Sequence, residues 1–230
     1  MKLAIATRAD SDIKAMTDLT FPVIKEFCQK WCAEFVVLNQ KPLIMSDDQR
    51  PHFRILELYK LLDQYDRVIS LDADVLITKQ CPNLFDVVPC NLIGTIYEDK
   101  GTRQENRRSK IRNAQKLFGD VGWEEGYINT GVFVVSKLHR DIFTSIDGKY
   151  YTADGSDDVH IGYQIHKLHF LVQELDYRYN HMTMFSEPWN PENKNRYNSF
   201  IIHYAGAGIF DADCKTRNEQ ITKDFSLTWG

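Results

Sequence analysis

Arg67-Val-Ile-Ser-Leu-Asp-Ala-Asp-Val-Leu-Ile77 is the stretch from which the rest of the chain is best read. A short, β-branched apolar run ends abruptly in Asp72-Ala73-Asp74. Carboxylates do not belong in a buried strand unless something pairs with them. Period-2 geometry points Asp72 and Asp74 to the same side while the backbone stays extended. At the carboxyl end of a buried parallel strand, both open into the crevice where α/β proteins hold ligands. Two hard oxygen ligands there point to Mg²⁺ or Mn²⁺ accompanying a phosphorylated substrate. The plain alternative is a strand that simply turns at aspartate, and an isolated Asp-x-Asp favours it.

Outward from this stretch, strand and helix alternate. Ile55, Leu58, Tyr59 and Leu62 form a helical stripe just before it, and Val68–Leu71 is the third strand of the chain. Leu3–Thr7 is the first strand, followed by a polar stretch from Arg8 to Asp12. Ile24, Phe27, Cys28 and Trp31 share one helix face, which predicts a helix starting near Pro22. Phe35–Leu38 is the second strand, and Pro42 to Pro51 reads as loop. Leu92–Tyr97 and Val132–Ser136 are further strands, Ile161, Ile165 and Leu168 mark a helix, and Ser199–Tyr204 is a late strand. This order predicts an α/β fold: one domain with a mostly parallel, Rossmann-like sheet flanked by helices. The last twenty residues are polar and are expected to wrap the surface.

Bulk properties narrow the function. The 230 residues are 43% hydrophobic and 26% charged, which suits one large domain. A net charge of −4 offers no global basic field for nucleic acid or an anionic membrane. No stretch approaches the ~18 apolar residues that span a bilayer. Met1 leads directly into the first strand, with no signal-peptide pattern. Five cysteines without framework spacing imply reduced thiols and a cytoplasmic protein. Cys28 and Cys32 lie one helical turn apart without a second pair, and are helix-face residues, not a zinc site.

Residues 98–126 show no clear apolar period and carry seven basic residues: Lys100, Arg103, Arg107, Arg108, Lys110, Arg112 and Lys116. Such a stretch is either a solvated helix or loop, or a lid whose cations meet phosphate.

Four stations stand out along the chain: Asp72-Ala73-Asp74, Asn129-Thr130-Gly131, Ser156-Asp157-Asp158 and His203-Tyr-Ala-Gly206. In this order and spacing, and with the approach Arg54-Ile-Leu-Glu-Leu-Tyr-Lys-Leu-Leu-Asp-Gln-Tyr-Asp-Arg67, the chain resembles the glycogenin-like glycosyltransferases of family 8, which have the GT-A fold. The resemblance covers roughly residues 1 to 208 and is patchy through the basic segment.

The resemblance implies a set of roles. Asp72, Asp74 and His203 would hold Mn²⁺ (or Mg²⁺), the imidazole favouring Mn²⁺. By itself His203 reads sooner as a strand-end histidine bonded to backbone; beside Asp72-Ala73-Asp74 and with Gly206 three residues on, it reads as the ligand. Ala6, Thr7 and Arg8, at the end of the first strand, would hold the uracil and ribose of a UDP-sugar. Arg54 would stand near the diphosphate and donor sugar, or is a surface arginine at a helix start. Asn129, Thr130 and Gly131 would bind donor-sugar hydroxyls, or form only a turn. Ala73 lies between the metal ligands, and Gly206 would let backbone approach the diphosphate. Asp157 and Asp158 match the family's Asp-Gln imperfectly: either is the sugar-side acid, and either is an N-cap. With Arg54 they are the candidate catalytic residues, and the missing Gln bears on whether anomeric configuration is retained. Relatives carry a Lys shortly after the glycine; here the nearest is Lys215. Asp211-Ala212-Asp213 repeats the Asp-x-Asp spelling with no strand feeding it, and reads as loop.

On this resemblance, 1–97 is a nucleotide-binding half, 98–126 a possible lid, 127–208 a donor-sugar and acceptor half, and 209–230 a surface segment. The expected activity is metal-dependent transfer of a hexose, glucose or galactose, from UDP to a hydroxyl of a carbohydrate, lipid-linked or protein acceptor. Two rivals stand beside it. A haloacid dehalogenase-like phosphatase also ends an apolar strand in Asp-x-Asp, but on its first strand. A non-catalytic carbohydrate-binding protein would show a degraded site. Trp123, Tyr127, Trp189 and Tyr197 either stack on sugars or fill the core.

Overall fold

The computed structural model describes residues 1–39, 51–191 and 195–230. The expected loop from Pro42 to Pro51 lies outside the described residues save for its last position. In chain order the elements are β1 (Leu3–Arg8), α1 (Lys14–Lys30), β2 (Glu34–Leu38), α2 (Leu58–Gln64), β3 (Arg67–Asp72), β4 (Val75–Ile77), α3 (Leu84–Val87) and β5 (Ile93–Thr95). There follow α4 (Gln104–Phe118), β6 (Val132–Ser136), α5 (Ser156–Lys167), β7 (Val172–Glu174), β8 (Ile201–His203) and α6 (Arg217–Trp229).

Alternation of side chains across the strands builds two covered faces. Ile5, Ile69, Leu71, Val132 and Val134 point one way, onto Val23, Ile24 and Phe27 of α1. Ala4, Ala6, Val68, Phe133 and Val135 point the other way, onto Leu58, Leu61 and Leu62 of α2 and Ile161 and Ile165 of α5. The strand order is β2-β1-β3-β6-β5-β7. β1 runs parallel to β2 and β3, and β5 parallel to β7, while β6 is antiparallel to both its neighbours. β4 and β8 form a separate antiparallel ribbon that pairs Val75 with His203. No helix among the described residues is long and apolar enough to cross a membrane.

One expectation needs correction, and two segments gain definition. α1 begins at Lys14, not near Pro22: Asp10 caps a 3₁₀ turn at Ser11–Ile13 that runs into the helix. Pro22 sits inside α1 on its exposed face, where the carbonyl four residues earlier meets solvent. The basic segment contains α4, whose Ile111 and Ala114 pack with Val159 and Tyr163 of α5 around Trp123. Its apolar stripe is one residue wide at each turn, too thin to show as a period. The chain's end is α6, announced by a capping box between Thr216 and Glu219 and anchored by buried Ile221. Trp123 and Tyr127 fill the core, whereas Trp189 is half-buried.

Candidate active site

The last residue of β3 is Asp72, and the chain turns at once into β4 through Ala73 and Asp74. Two backbone bonds hold the turn: Asp72 N donates to Gly131 O at 2.9 Å, and Tyr204 N donates to Asp74 O at 2.9 Å. Pairing of β4 with β8 carries His203 across to the two carboxylates. His203 Nε2 lies 3.5 Å from Asp72 Oδ2 and 3.4 Å from Asp74 Oδ1. Its other nitrogen, Nδ1, lies 2.8 Å from Asn180 Oδ1.

Asp72, Ala73, Asp74 and His203 line a cavity of about 510 Å³ together with Arg8, His52, Glu98, Asn129, Thr130, Asp157, Asp158, Gly206 and Arg217. Arg8 is the register partner of Asp72 on the parallel strand, so its guanidinium is delivered beside that carboxylate and pairs with it. Arg8 Nη1 also donates to Asp157 Oδ2 at 2.6 Å and to His52 O at 2.9 Å. Burial disfavours the Arg8 charge, but Asp72 and Asp157 outweigh burial and raise its pKa. Burial would lift the Asp72 pKa; Arg8 and then His203 hold it well below the usual carboxylate range. For His203 burial acts downward, and the two aspartates overcome it, raising its pKa to about 10.

Asp157 and Asp158 stand in the first turn of α5. Gly155 occupies the N-cap position, so neither aspartate caps the helix. They turn to Thr130 instead. Its backbone N–H reaches Asp158 Oδ1 at 2.9 Å, and its hydroxyl lies 2.8 Å from Asp158 Oδ1 and 2.9 Å from Asp157 Oδ2. Burial, with Asp157 and Glu98 close by, pushes the Asp158 pKa well above the usual carboxylate value. The two neighbours therefore differ: Asp157 is tied to Arg8, and Asp158 is pushed by burial toward its protonated form at the cavity wall.

The remaining sequence candidates divide. Gly131 is at the centre: a Cβ there would stand 2.9 Å from both Asp72 Oδ2 and Asn129 Oδ1. Gly206 lines the cavity with φ of 68°, a left-handed backbone that suits glycine. Ala6 and Thr7 are buried inside β1 and off the cavity lining, and the Thr7 hydroxyl is buried without a hydrogen-bond partner. Arg54 is also off the lining: it is buried and donates to Asp10 Oδ2 at 2.6 Å.

Three residues of the site escaped sequence reasoning. Glu98, 3% exposed, accepts from Asn129 Nδ2 at 2.6 Å and from Arg107 Nε at 2.7 Å. Asn180 supports His203 from behind. Arg217, at the start of α6, pairs with Asp74 at 2.9 Å and donates to the Gly206 carbonyl. Only Arg217 had a signal, the Thr216-x-x-Glu219 capping box that fixes where α6 begins. In the basic segment, Arg107 pairs with Glu98, Arg108 with Asp99, and Lys110 with Asp154. Asp211 and Asp213 lie in a turn and are matched by Arg196 and Lys223.

The donor set suits a divalent cation. Ligand atoms of Asp72, Asp74 and His203 lie within 4.8 Å of one another. Two carboxylates and one imidazole is a mixture that accepts Mn²⁺.

Comparison with known proteins agrees with this geometry. The family model described as glycosyl transferase family 8 matches residues 4–208. Among solved structures, the galactosyltransferase LgtC, crystallised with donor and acceptor sugar analogues, superposes with a TM-score of 0.61 at 19% identity over 100% of this chain and 97% of its own. A glycosyltransferase involved in glycosylation of the major capsid of PBCV-1 gives 0.60 at 14% identity, over 97% and 98%. Mouse xyloside xylosyltransferase 1 gives 0.51 at 12% identity, over 91% and 99%. No curated protein sequence matches the chain.

Proposed function

The chain belongs to glycosyl transferase family 8, and from that premise we propose that this glycosyltransferase moves a hexose from a UDP-sugar to an acceptor hydroxyl in a metal-dependent reaction. The observation that carries the proposal is the convergence of Asp72, Asp74 and His203 in one cavity that Asn129, Thr130 and Asp158 also line. The first set suits a cation and diphosphate; the second suits a sugar. Family membership removes the ground for the phosphatase and non-catalytic alternatives.

Asp72, Asp74 and His203 would hold the cation. A bound divalent ion stabilises the charge that the diphosphate gains as the anomeric C–O bond breaks. Arg217 and Arg8 supply further positive charge beside that set. Asn129 and Asp158 orient the donor sugar. When protonated, Asp158 would be both hydrogen-bond donor and acceptor, as the missing glutamine would be. That likeness supports retention of anomeric configuration, with Asp158 as the sugar-side acid and Asp157 anchored on Arg8. UDP-galactose and UDP-glucose are the first donors to try, the former because one structural neighbour is a galactosyltransferase. The acceptor is a carbohydrate, lipid-linked or protein hydroxyl entering from the open side. A cytoplasmic setting accords with the five free thiols. Residues 98–126 would act as a lid through the charged face of α4, so UDP with Mn²⁺ should protect them from proteolysis.

The central test is Mn²⁺-dependent hydrolysis or transfer from UDP-hexoses. Asp72→Asn and Asp74→Asn should each abolish it and leave the fold intact by circular dichroism. Full activity in both variants refutes the metal role.

A further inference from the structure

Behind the metal-ligand histidine runs a chain of hydrogen bonds whose direction is set at both ends. Gly131 N–H donates to Asn129 Oδ1 at 2.9 Å, and a backbone N–H has no other role available. Asn129 Nδ2 donates to Glu98 Oε1 at 2.6 Å, and the Glu98 carboxylate, held by Arg107, only accepts. These anchors allow one orientation of the Asn129 amide. Its Oδ1 is then an acceptor for Asn180, 2.8 Å away, so Asn180 must present Nδ2 to it. That leaves Asn180 Oδ1 facing His203 Nδ1 at 2.8 Å, and a carbonyl oxygen demands a proton on Nδ1.

We infer that Asn180 is a positioning residue that fixes His203 as its Nδ1–H tautomer and so reserves Nε2 for a divalent cation. The inference rests on the metal reading of the site proposed above. Asn180 is fully buried and does not line the cavity, so it reaches a cation there only through His203. The backbone keeps it there: His203 N donates to His181 O and His181 N to Ile201 O, which lays residues 180–181 along β8. A hydrogen bond of this kind behind a ligating histidine fixes ring orientation and raises ligand basicity, and its loss costs roughly 10–100-fold in metal affinity. One oxygen, Asn129 Oδ1, is also shared between the sugar set and the metal set of the cavity's residues. The two sets are thus wired to one amide.

The test compares Asn180→Leu and Asn180→Asp, both close in size to asparagine and both unable to donate to Asn129. Only the aspartate keeps an acceptor toward His203 Nδ1. Mn²⁺ alone is titrated against each folded protein, with free Mn²⁺ read by electron paramagnetic resonance. The expected result is N180L weakened roughly 10–100-fold and N180D at least as tight as wild type. N180A replaces N180L should the latter fail to melt cooperatively. Because the aspartate adds charge, Co²⁺-loaded protein supplies a second readout: one exchangeable, hyperfine-shifted imidazole N–H in wild type and N180D, lost in N180L. Wild-type binding with N180L within twofold of it, N180D as weak as N180L, or no such proton in wild type overturns the inference alone. A wild type that binds neither Mn²⁺ nor Co²⁺ overturns the metal reading, and the inference with it.

Discussion

Gly131→Ala adds one methyl group where three functional groups meet, and its effect follows from distances. Gly131 has no left-handed backbone, so alanine fits the main chain and the test is purely steric. The new Cβ would stand 2.9 Å from Asp72 Oδ2 and 2.9 Å from Asn129 Oδ1, and closer still to the His203 ring. An ordinary contact needs about 3.4 Å, so Asp72 must yield about 0.5 Å and the imidazole more. Metal sites tolerate only about ±0.2 Å in their ligand distances. Overpacking of this size costs about 1–3 kcal/mol. At roughly 2–4 °C per kcal/mol for a chain of this length, Tm should fall by roughly 2–12 °C, leaving the protein folded at 25 °C. Mn²⁺ affinity, by contrast, should fall at least tenfold, and the rise in Tm that wild type shows with Mn²⁺ and UDP should vanish. The assay is a pair of thermal melts, with and without 1 mM Mn²⁺ and UDP, beside a direct Mn²⁺ titration. Unchanged Mn²⁺ affinity in a folded Gly131→Ala protein refutes the placement of the cation between these residues.

Three further outcomes follow from other parts of the molecule. Arg217→Ala removes the cation that pairs with Asp74, so Mn²⁺ alone should bind more tightly while UDP binds more weakly, both measured by titration calorimetry. Arg196→Met strands fully buried Asp224, which accepts from Arg196 Nε at 2.8 Å; the cost should be about 3–5 kcal/mol, with an Asp224→Asn partner mutation restoring part of it in urea melts. The third outcome concerns pH. Burial lowers the pKa of His139, His160 and His181 to about 4, so each is neutral in the fold but protonated once unfolded below its ordinary value. Stability held above pH 6.5 should therefore be lost as pH falls toward 4, by up to about 1.4 kcal/mol per pH unit for each histidine. Asp158, with its raised pKa, acts in the opposite sense but is one group against three; a flat urea-unfolding profile from pH 6.5 to 4.5 would contradict the assignment.

What could be read from the sequence was local. The strands at 3–8, 34–38, 67–72 and 132–136 were legible because near-continuous apolar runs on both faces mark a covered sheet. Asp72, Asp74 and His203 were singled out as a set only through the family resemblance, since alone the Asp-x-Asp reads as a turn; the fold brings their ligand atoms within 4.8 Å of one another. The antiparallel setting of β6 was not legible: its five residues are as apolar as a parallel strand, and direction is decided by pairing with β3 and β5. Helices α4 and α6 were hidden because each buries so little, Ile111 and Ala114 in one and chiefly Ile221 in the other. Arg8 and Arg54 exchanged importance for a reason of register. Arg8 is delivered to Asp72 by strand pairing, whereas Arg54 is taken by Asp10. Asn180 carries no local signature at all, because its role exists only through contacts 23 and 51 residues away.

The two-stranded ribbon of β4 and β8 has a consequence for how the molecule is made. It joins Val75 to His203, so the third proposed metal ligand reaches the other two only after 128 intervening residues have been synthesised and the ribbon has closed. Contacts of such separation form late, since loop closure precedes any reward. On a ribosome, the β1–β3 layer has all its residues while the cation site is still incomplete. On the proposed metal reading, cation binding would be a timer as well as a chemical device: it would register only on a chain whose distant parts have met, and a burst of Mn²⁺ uptake during refolding would mark that last closure.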